Sequence, residues 1–307
     1  MAADDARCHH RAFGRVPGFA VTVIVAVGLP LIIMLAMTIV GLELTLTDLG
    51  RVMHYPGAVA ASLLGQALVL PLIAVGLILL LKPEPAVTGG LILAAAAPQA
   101  TSSNFFCLLG RANVALSVTL TAMSSVMALV STPLMARFAL DVVLDQQTGF
   151  DLPVGPVMRQ VLTGLVLPVA AGMFVRHYAP GFVARHRTHF QRLTLVLIVA
   201  MLTIIVADQA ATIARNLMSI VVMGVLFTTA ALVVALGIAK ALGWTRQDTV
   251  TALAGFPLRS LSVATLISVN VLERPDFLAF AAPFFVVQAV LLVPAMILAR
   301  RPTETEP

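Results

Sequence analysis

Nine apolar runs decide what this chain can fold into. They span approximately 18–43, 55–81, 85–110, 113–140, 153–176, 190–212, 217–242, 247–272 and 277–299. A helix needs about 20 apolar residues to cross the hydrocarbon of a bilayer. Lipid cannot satisfy backbone N–H and C=O groups, so runs of this length read as helices. The expected fold is an all-α polytopic membrane protein with about nine transmembrane helices. Residues 18–300 form a single transmembrane domain between a polar N-terminal tail, 1–17, and a short C-terminal tail, 301–307. The longest loops are expected at 141–152 and 177–189. The first run outlasts the 7–15 apolar residues of a cleavable leader, so it reads as a retained span.

Composition excludes other classes. Only 11% of residues are charged and 60% are hydrophobic, against roughly 25% charged in a soluble domain. The net charge of +5 comes from basic residues spread thinly between apolar runs. That pattern fits the positive-inside rule and not a nucleic-acid partner. The two cysteines, Cys8 and Cys107, lie in the tail and in a span. With no metal-ligand spacing, no phosphate loop and no paired carboxylates, the chain reads as no enzyme and as needing no cofactor. With the 44–54 loop in the cytoplasm, ten loop Lys and Arg fall on that side and four opposite. This places the N-terminus outside and the C-terminus in the cytoplasm, as in a bacterial inner membrane, although Arg7, Arg11 and Arg15 of the tail oppose it.

Two runs differ from the rest. The third breaks at Pro98 and continues Gln99, Ala100, Thr101, Ser102, Ser103, Asn104. The eighth breaks at Gly255-Phe256-Pro257 and continues with Arg259, Ser260 and Ser262. Proline removes a backbone donor and frees a carbonyl four residues earlier. Inside a membrane such a break survives only where protein or a cavity lines it. Two breaks running in opposite senses are the trace of an inverted repeat, and they place a substrate site where they meet. The candidate substrate-binding residues are Pro98, Gln99, Thr101, Ser102, Pro257, Arg259 and Ser260. An arginine within an apolar run costs at least about 2.5–3.5 kcal/mol. Arg259 therefore either faces a cavity and meets a negative charge, or pairs with carbonyls freed at the third run's break. Gln66, alone in SLLGQALVLP, suits a helix–helix hydrogen bond. Ser117, Thr121, Ser124 and Ser125 suit close packing or bonding to the i−4 carbonyl.

The block PQATSSNFFCLLGRANVALSVTLT, together with GLELTLTDLGRVMHYPGAVAASLLGQALVLP before it, resembles the signature of the bile acid:sodium symporter family. The resemblance is specific over 41–134 and looser beyond. It implies a ten-helix inverted repeat with two discontinuous crossing helices and panel and core domains, here without the first helix. It also implies organic anions carried with sodium. By resemblance, one sodium site maps onto Ser103, Asn104, Ser117 and Thr121, and a second onto Gln66. The chain departs from the family at both breaks. Gln99 and Ala100 replace a Gly-Gly. At the second break the family has Glu-Val-Gly-x-Gln-Asn-Ser, where Leu253 stands at the Glu, Pro257 at the Gln and Arg259 at the Ser. A one-residue shift brings Ala254 to the Glu. The expected function is a secondary transporter of a small organic anion working by alternating access, with sodium coupling weakened or lost. The alternatives are an oxyanion or metalloid efflux carrier, as in the related arsenite exporters, or a membrane receptor that does not transport. The exporters carry a Cys beside the first proline, where this chain has Gln99.

Overall fold

The computed structural model describes residues 28–43, 56–148, 155, 159, 162–270, 272 and 274–299. Both tails, the 44–54 loop and most of 149–161 lie outside the described residues. Every regular element described is helical. In chain order they are α1 (Leu29–Glu43), α2 (Pro56–Leu81), α3 (Pro85–Ala96), α4 (Ser102–Leu109), α5 (Val114–Thr148), α6 (Leu167–Tyr178), α7 (Pro180–Ala241), α8 (Arg246–Gly255), α9 (Leu261–Asn270) and α10 (Ala281–Ala299). A 3-10 segment, Pro275–Phe280, leads into α10. Three helical stretches, Pro56–Leu81, Pro180–Ala241 and Pro275–Ile297, are long and apolar enough to cross a membrane.

Both expected breaks are present. The third run divides into α3 and α4 around 97–101, and the eighth into α8 and α9 around 256–260. Two other boundaries differ from the sequence reading. Helix α5 continues to Thr148, into the expected 141–152 loop. The runs expected at 190–212 and 217–242, and most of the 177–189 loop, form one helix of 62 residues. Residues 213–216, Ile-Ala-Arg-Asn, contain no proline or glycine to stop it. Pro180 stands at its first turn, where a missing N–H costs nothing. Its helical path, about 93 Å at 1.5 Å per residue, exceeds what one crossing needs. Its early part packs Leu197 with Ala36 and Ile39 of α1. Its late part packs Phe227 against Phe284 of α10, ring centroids 6.0 Å apart.

Prolines shape α2 and the entry to α6. Gly65–Val69 and Leu162–Val166 are π-helical turns, and each lies just before a proline, Pro71 or Pro168. Without the proline N–H, the i→i−4 ladder cannot close there, and the local winding widens. Gln66 lies in the first of these turns and is buried.

Helix α3 is buried from Ala86 to Ala96, as befits the centre of a bundle. Its Gly89 and Gly90 admit the 3-10 segment: a Cβ on Gly89 would lie 2.5 Å from the Phe277 ring, and one on Gly90 2.5 Å from the Phe277 carbonyl. Arg274 braces this turn, bonding Asp276 at 2.9 and 2.8 Å and stacking 4.5 Å over Phe277. Helices α1 and α6 meet backbone to backbone. A Cβ on Gly41 would lie 2.1 Å from the Val169 carbonyl oxygen, and one on Gly172 2.1 Å from that of Thr38. Small residues at such a crossing are the usual means of close approach in membranes.

The turn between α4 and α5 is tied to the start of α8. Asn113 caps α5 by accepting from Leu116 N at 3.0 Å, and its amide donates to Asp248 at 2.8 Å. Thr245 caps α8 by accepting from Asp248 N at 3.2 Å. Asn113→Ala therefore loses a cap and a bond to a carboxylate, a cost of about 1–3 kcal/mol. A lower melting temperature in detergent is expected; an unchanged one would show that this tie contributes nothing.

Candidate functional site

The two breaks cross antiparallel. Ala100 N donates to the Leu258 carbonyl at 2.9 Å and Ser260 N to the Pro98 carbonyl at 2.8 Å. Gln99 and Arg259 pair as an isolated bridge between them. Proline explains why strand-like bonding survives here. Pro98 and Pro257 stop the helices, the extended segments would otherwise leave their backbone groups bare, and each segment satisfies the other.

An open cleft of about 70 Å³ lies against this crossing. The polar residues of its floor are Gln99, Thr101, Ser102, Ser125, Arg259, Ser260 and Ser262, set among Pro98, Ala100, Leu258 and Leu261. Its far wall is mostly apolar, from Met37 and Val40 of α1 and Ile198 and Met201 of α7. Helices α4 and α9 both begin at the crossing, so both N-termini open toward this floor. Helix N-termini favour anions through their unpaired N–H groups and dipole. Among the cleft's lining residues Arg259 carries the charge and no carboxylate appears.

Arg259 is 4% exposed. It donates to Gln66 Oε1 at 2.9 Å and to the Ala95 carbonyl at 3.1 Å, and also bonds the Ala97 carbonyl. The partners it has are thus those of the second possibility set out above: it caps the carbonyl end of α3. It also reaches the cleft, and its Nε–H is buried without a partner.

Pro98, Gln99, Thr101, Ser102, Arg259 and Ser260 all line the cleft. Pro257 is not among its lining residues; its carbonyl accepts from Gln288 Nε2 of α10. The residues that resemblance assigns to cation sites lie around the crossing. Gln99 Nε2 donates to Ser103 Oγ at 2.8 Å and to Thr121 Oγ1 at 3.2 Å. Gln66 Nε2 donates to Gln99 Oε1 at 3.1 Å. Ser117 Oγ donates to Asn104 Oδ1 at 2.6 Å, and Ser124 Oγ accepts from Gln99 N at 2.7 Å. These oxygens already face protein N–H and O–H groups. They do not fit a sodium ion, which accepts no hydrogen bond and would have to expel those donors. Among the described residues no cluster of His, Cys, Asp or Glu could hold a metal.

Gln288 is a site residue the sequence reading passed over. It is fully buried in the cleft wall, and its Oε1 has no partner. Its signal was present: like Gln66, it is a lone amide in an apolar run, PFFVVQAVLLVP. Cys107 packs with Ala254, Leu258, Leu292 and Met296 and does not line the cleft.

Several known proteins are similar to this chain over about half of its length. Over 139 residues the chain is 37% identical to a probable sodium/metabolite cotransporter, BASS1, of Arabidopsis thaliana chloroplasts, covering 45% of this chain and 33% of that protein. A rice chloroplast counterpart, BASS2, is 32% identical over 147 residues, 47% of this chain and 33% of its own length. The uncharacterized sodium-dependent transporter YocS of Bacillus subtilis is 27% identical over 169 residues, 55% of this chain and 51% of its own. The chain thus spans about a third to a half of the length of these relatives. The profile of the sodium bile acid symporter family matches residues 19–216, more than half the chain, and the chain belongs to that family.

Proposed function

We propose that this chain is an integral membrane secondary transporter that moves a small organic anion by alternating access, with its substrate held in the cleft at the crossing. The observation that carries the reading is the crossing itself: two breaks bonded to each other, two helix N-termini opening onto one cleft, and Arg259 as that cleft's charge. A carboxylate or sulfonate fits between Thr101, Ser102 and Ser260. The far wall suits the apolar remainder of such a molecule. Arg259 gives the floor a positive potential from beneath. The loop charges orient the N-terminus outside and the C-terminus in the cytoplasm, as in a bacterial inner membrane. Cys107, packed away from the cleft, gives no thiol to a metalloid substrate.

Sodium coupling is weak or absent in this reading. A sodium ion about 6 Å from the guanidinium is repelled by roughly 3 kcal/mol at an effective dielectric near 20. That lowers its affinity about a hundredfold. Leu253 or Ala254 stands where the family resemblance places a carboxylate. The test is uptake into proteoliposomes of a panel of small labelled carboxylates and sulfonates, under an inward sodium gradient or an equal potassium gradient. Saturable uptake of at least one anion, alike in both gradients, is the expected result. Strong sodium-driven accumulation would overturn the uncoupled part. Anion binding without uptake would favour the receptor reading instead.

A further inference from the structure

We infer that Gln99 and Arg259 act together as built-in substitutes for bound cations, so that the crossing is assembled without an ion. The inference rests on the transport reading for its meaning in transport, but not for its test.

The argument is one of hydrogen-bond direction. Arginine can only donate, so the Gln66 atom that meets Arg259 at 2.9 Å is an oxygen. The Gln66 amide nitrogen must then face Gln99, at 3.1 Å, and the Gln99 atom receiving it is an oxygen. The other end of the Gln99 amide is therefore its NH2, which meets Ser103 Oγ at 2.8 Å and Thr121 Oγ1 at 3.2 Å. Thr121 spends its own hydrogen on the Ser117 carbonyl at 2.9 Å, so toward Gln99 it is an acceptor. One chain of donation runs from Arg259 through Gln66 and Gln99 to Ser103 and Thr121. It starts at a fixed positive charge and ends with two N–H groups among hydroxyl oxygens. Of the oxygens assigned to cation sites, those of Gln66, Ser103 and Thr121 each face a nitrogen of this chain, and that of Asn104 faces the Ser117 hydroxyl.

The space is arranged for the same purpose. A Cβ on Gly255 would lie 2.8 Å from both the nitrogen and the oxygen of the Gln99 amide. The amide is wedged against the end of α8, and Gln99 is 2% exposed. Removing its side chain leaves the Ser103 and Thr121 oxygens without their donor. Gln99 is a positioning residue in this scheme.

The experiment measures thermal unfolding of the full-length protein in detergent, in sodium chloride and in potassium chloride of equal concentration. Wild type should melt at the same temperature in both salts. Gln99→Gly should melt lower than wild type in potassium and be raised selectively by sodium, by about 3–5 °C at saturating salt. Thr121→Val on the Gln99→Gly background should abolish that increment, which a purely structural role for Gln99 would not produce. A sodium-selective rise in wild type would overturn the inference, as would a folded Gln99→Gly that melts alike in both salts. Should Gln99→Gly fail to fold, Gln99→Ala deletes the same amide with less backbone freedom, and the wild-type comparison still decides. Anion counterflow into proteoliposomes, run in parallel, reads the transport proposal separately. Its absence beside sodium-insensitive wild-type melting would sink transport and leave the substitution of cations standing.

Discussion

Arg259→Ala will abolish saturable anion uptake, and it will also destabilise the protein. The sequence alone leaves Arg259 either at a cavity, where its loss would leave the fold intact, or paired with freed carbonyls. The geometry adds a structural cost. Its guanidinium satisfies Gln66 Oε1 and the carbonyls of Ala95 and Ala97. Alanine leaves all three acceptors buried, at about 1–3 kcal/mol each when unsatisfied. Relief from holding a charge inside the apolar run returns about 2.5–3.5 kcal/mol. The net loss falls between about 0 and 6 kcal/mol, centred near 3. Arg259→Lys should fall between wild type and alanine, since an ammonium keeps the charge but cannot span Gln66 and two carbonyls with one planar fork. Thermal unfolding in detergent and uptake at saturating substrate measure the two effects. An alanine variant that melts like wild type would remove the carbonyl-capping role; one that transports normally would remove Arg259 from the substrate site.

Gly172→Leu will force α1 and α6 apart. A Cβ at 172 meets the Thr38 carbonyl oxygen at 2.1 Å and the Gly41 Cα at 2.8 Å. These are backbone atoms that no rotamer change can move aside. The cost should exceed the roughly 1–3 kcal/mol of ordinary overpacking, because the helices must separate along the crossing. Met37 and Val40, on α1, line the far wall of the cleft, so the cleft changes shape as well. Gly172→Ala should act in the same direction with smaller effect. Gly76→Leu, at a glycine whose Cβ would have nothing within 4 Å, should be nearly neutral. The yield of monodisperse protein and its melting temperature are the measurements. A Gly172→Leu variant as stable as Gly76→Leu would refute the close crossing.

The breaks could be read from sequence because proline and its polar followers are local signals. Pro98 and Pro257 stop their helices whatever surrounds them. That the segments pair antiparallel follows from two breaks of opposite sense. The partners of Arg259 were not legible in the same way. The chain shows an arginine in an apolar run, which is compatible with a ligand or with backbone carbonyls 164 and 162 residues away. Only tertiary packing chooses between them. Gln99 shows the same limit. Its identity marks a departure from the family, but the direction of its amide is set by Arg259 through Gln66. Boundaries that depend on the absence of a signal were misread. The stretch 213–216 is polar enough to suggest a turn, yet nothing in it opposes a helix, and α7 runs through.

That continuity has a mechanical consequence. The early part of α7 is fastened to α1 and the late part to α10. Helix α7 therefore links α1 to α10 with no hinge loop between the two attachments. Near the joint, Asn216 is moored to Glu84 at the start of α3 by a 3.0 Å bond. Relative displacement of the two attachments must be taken up as curvature or twist of α7, which long helices accommodate gradually, or by melting a turn of it. Such a connection behaves as a leaf spring. A spring of this kind bends in small steps and returns its two attachments to register when the load is gone.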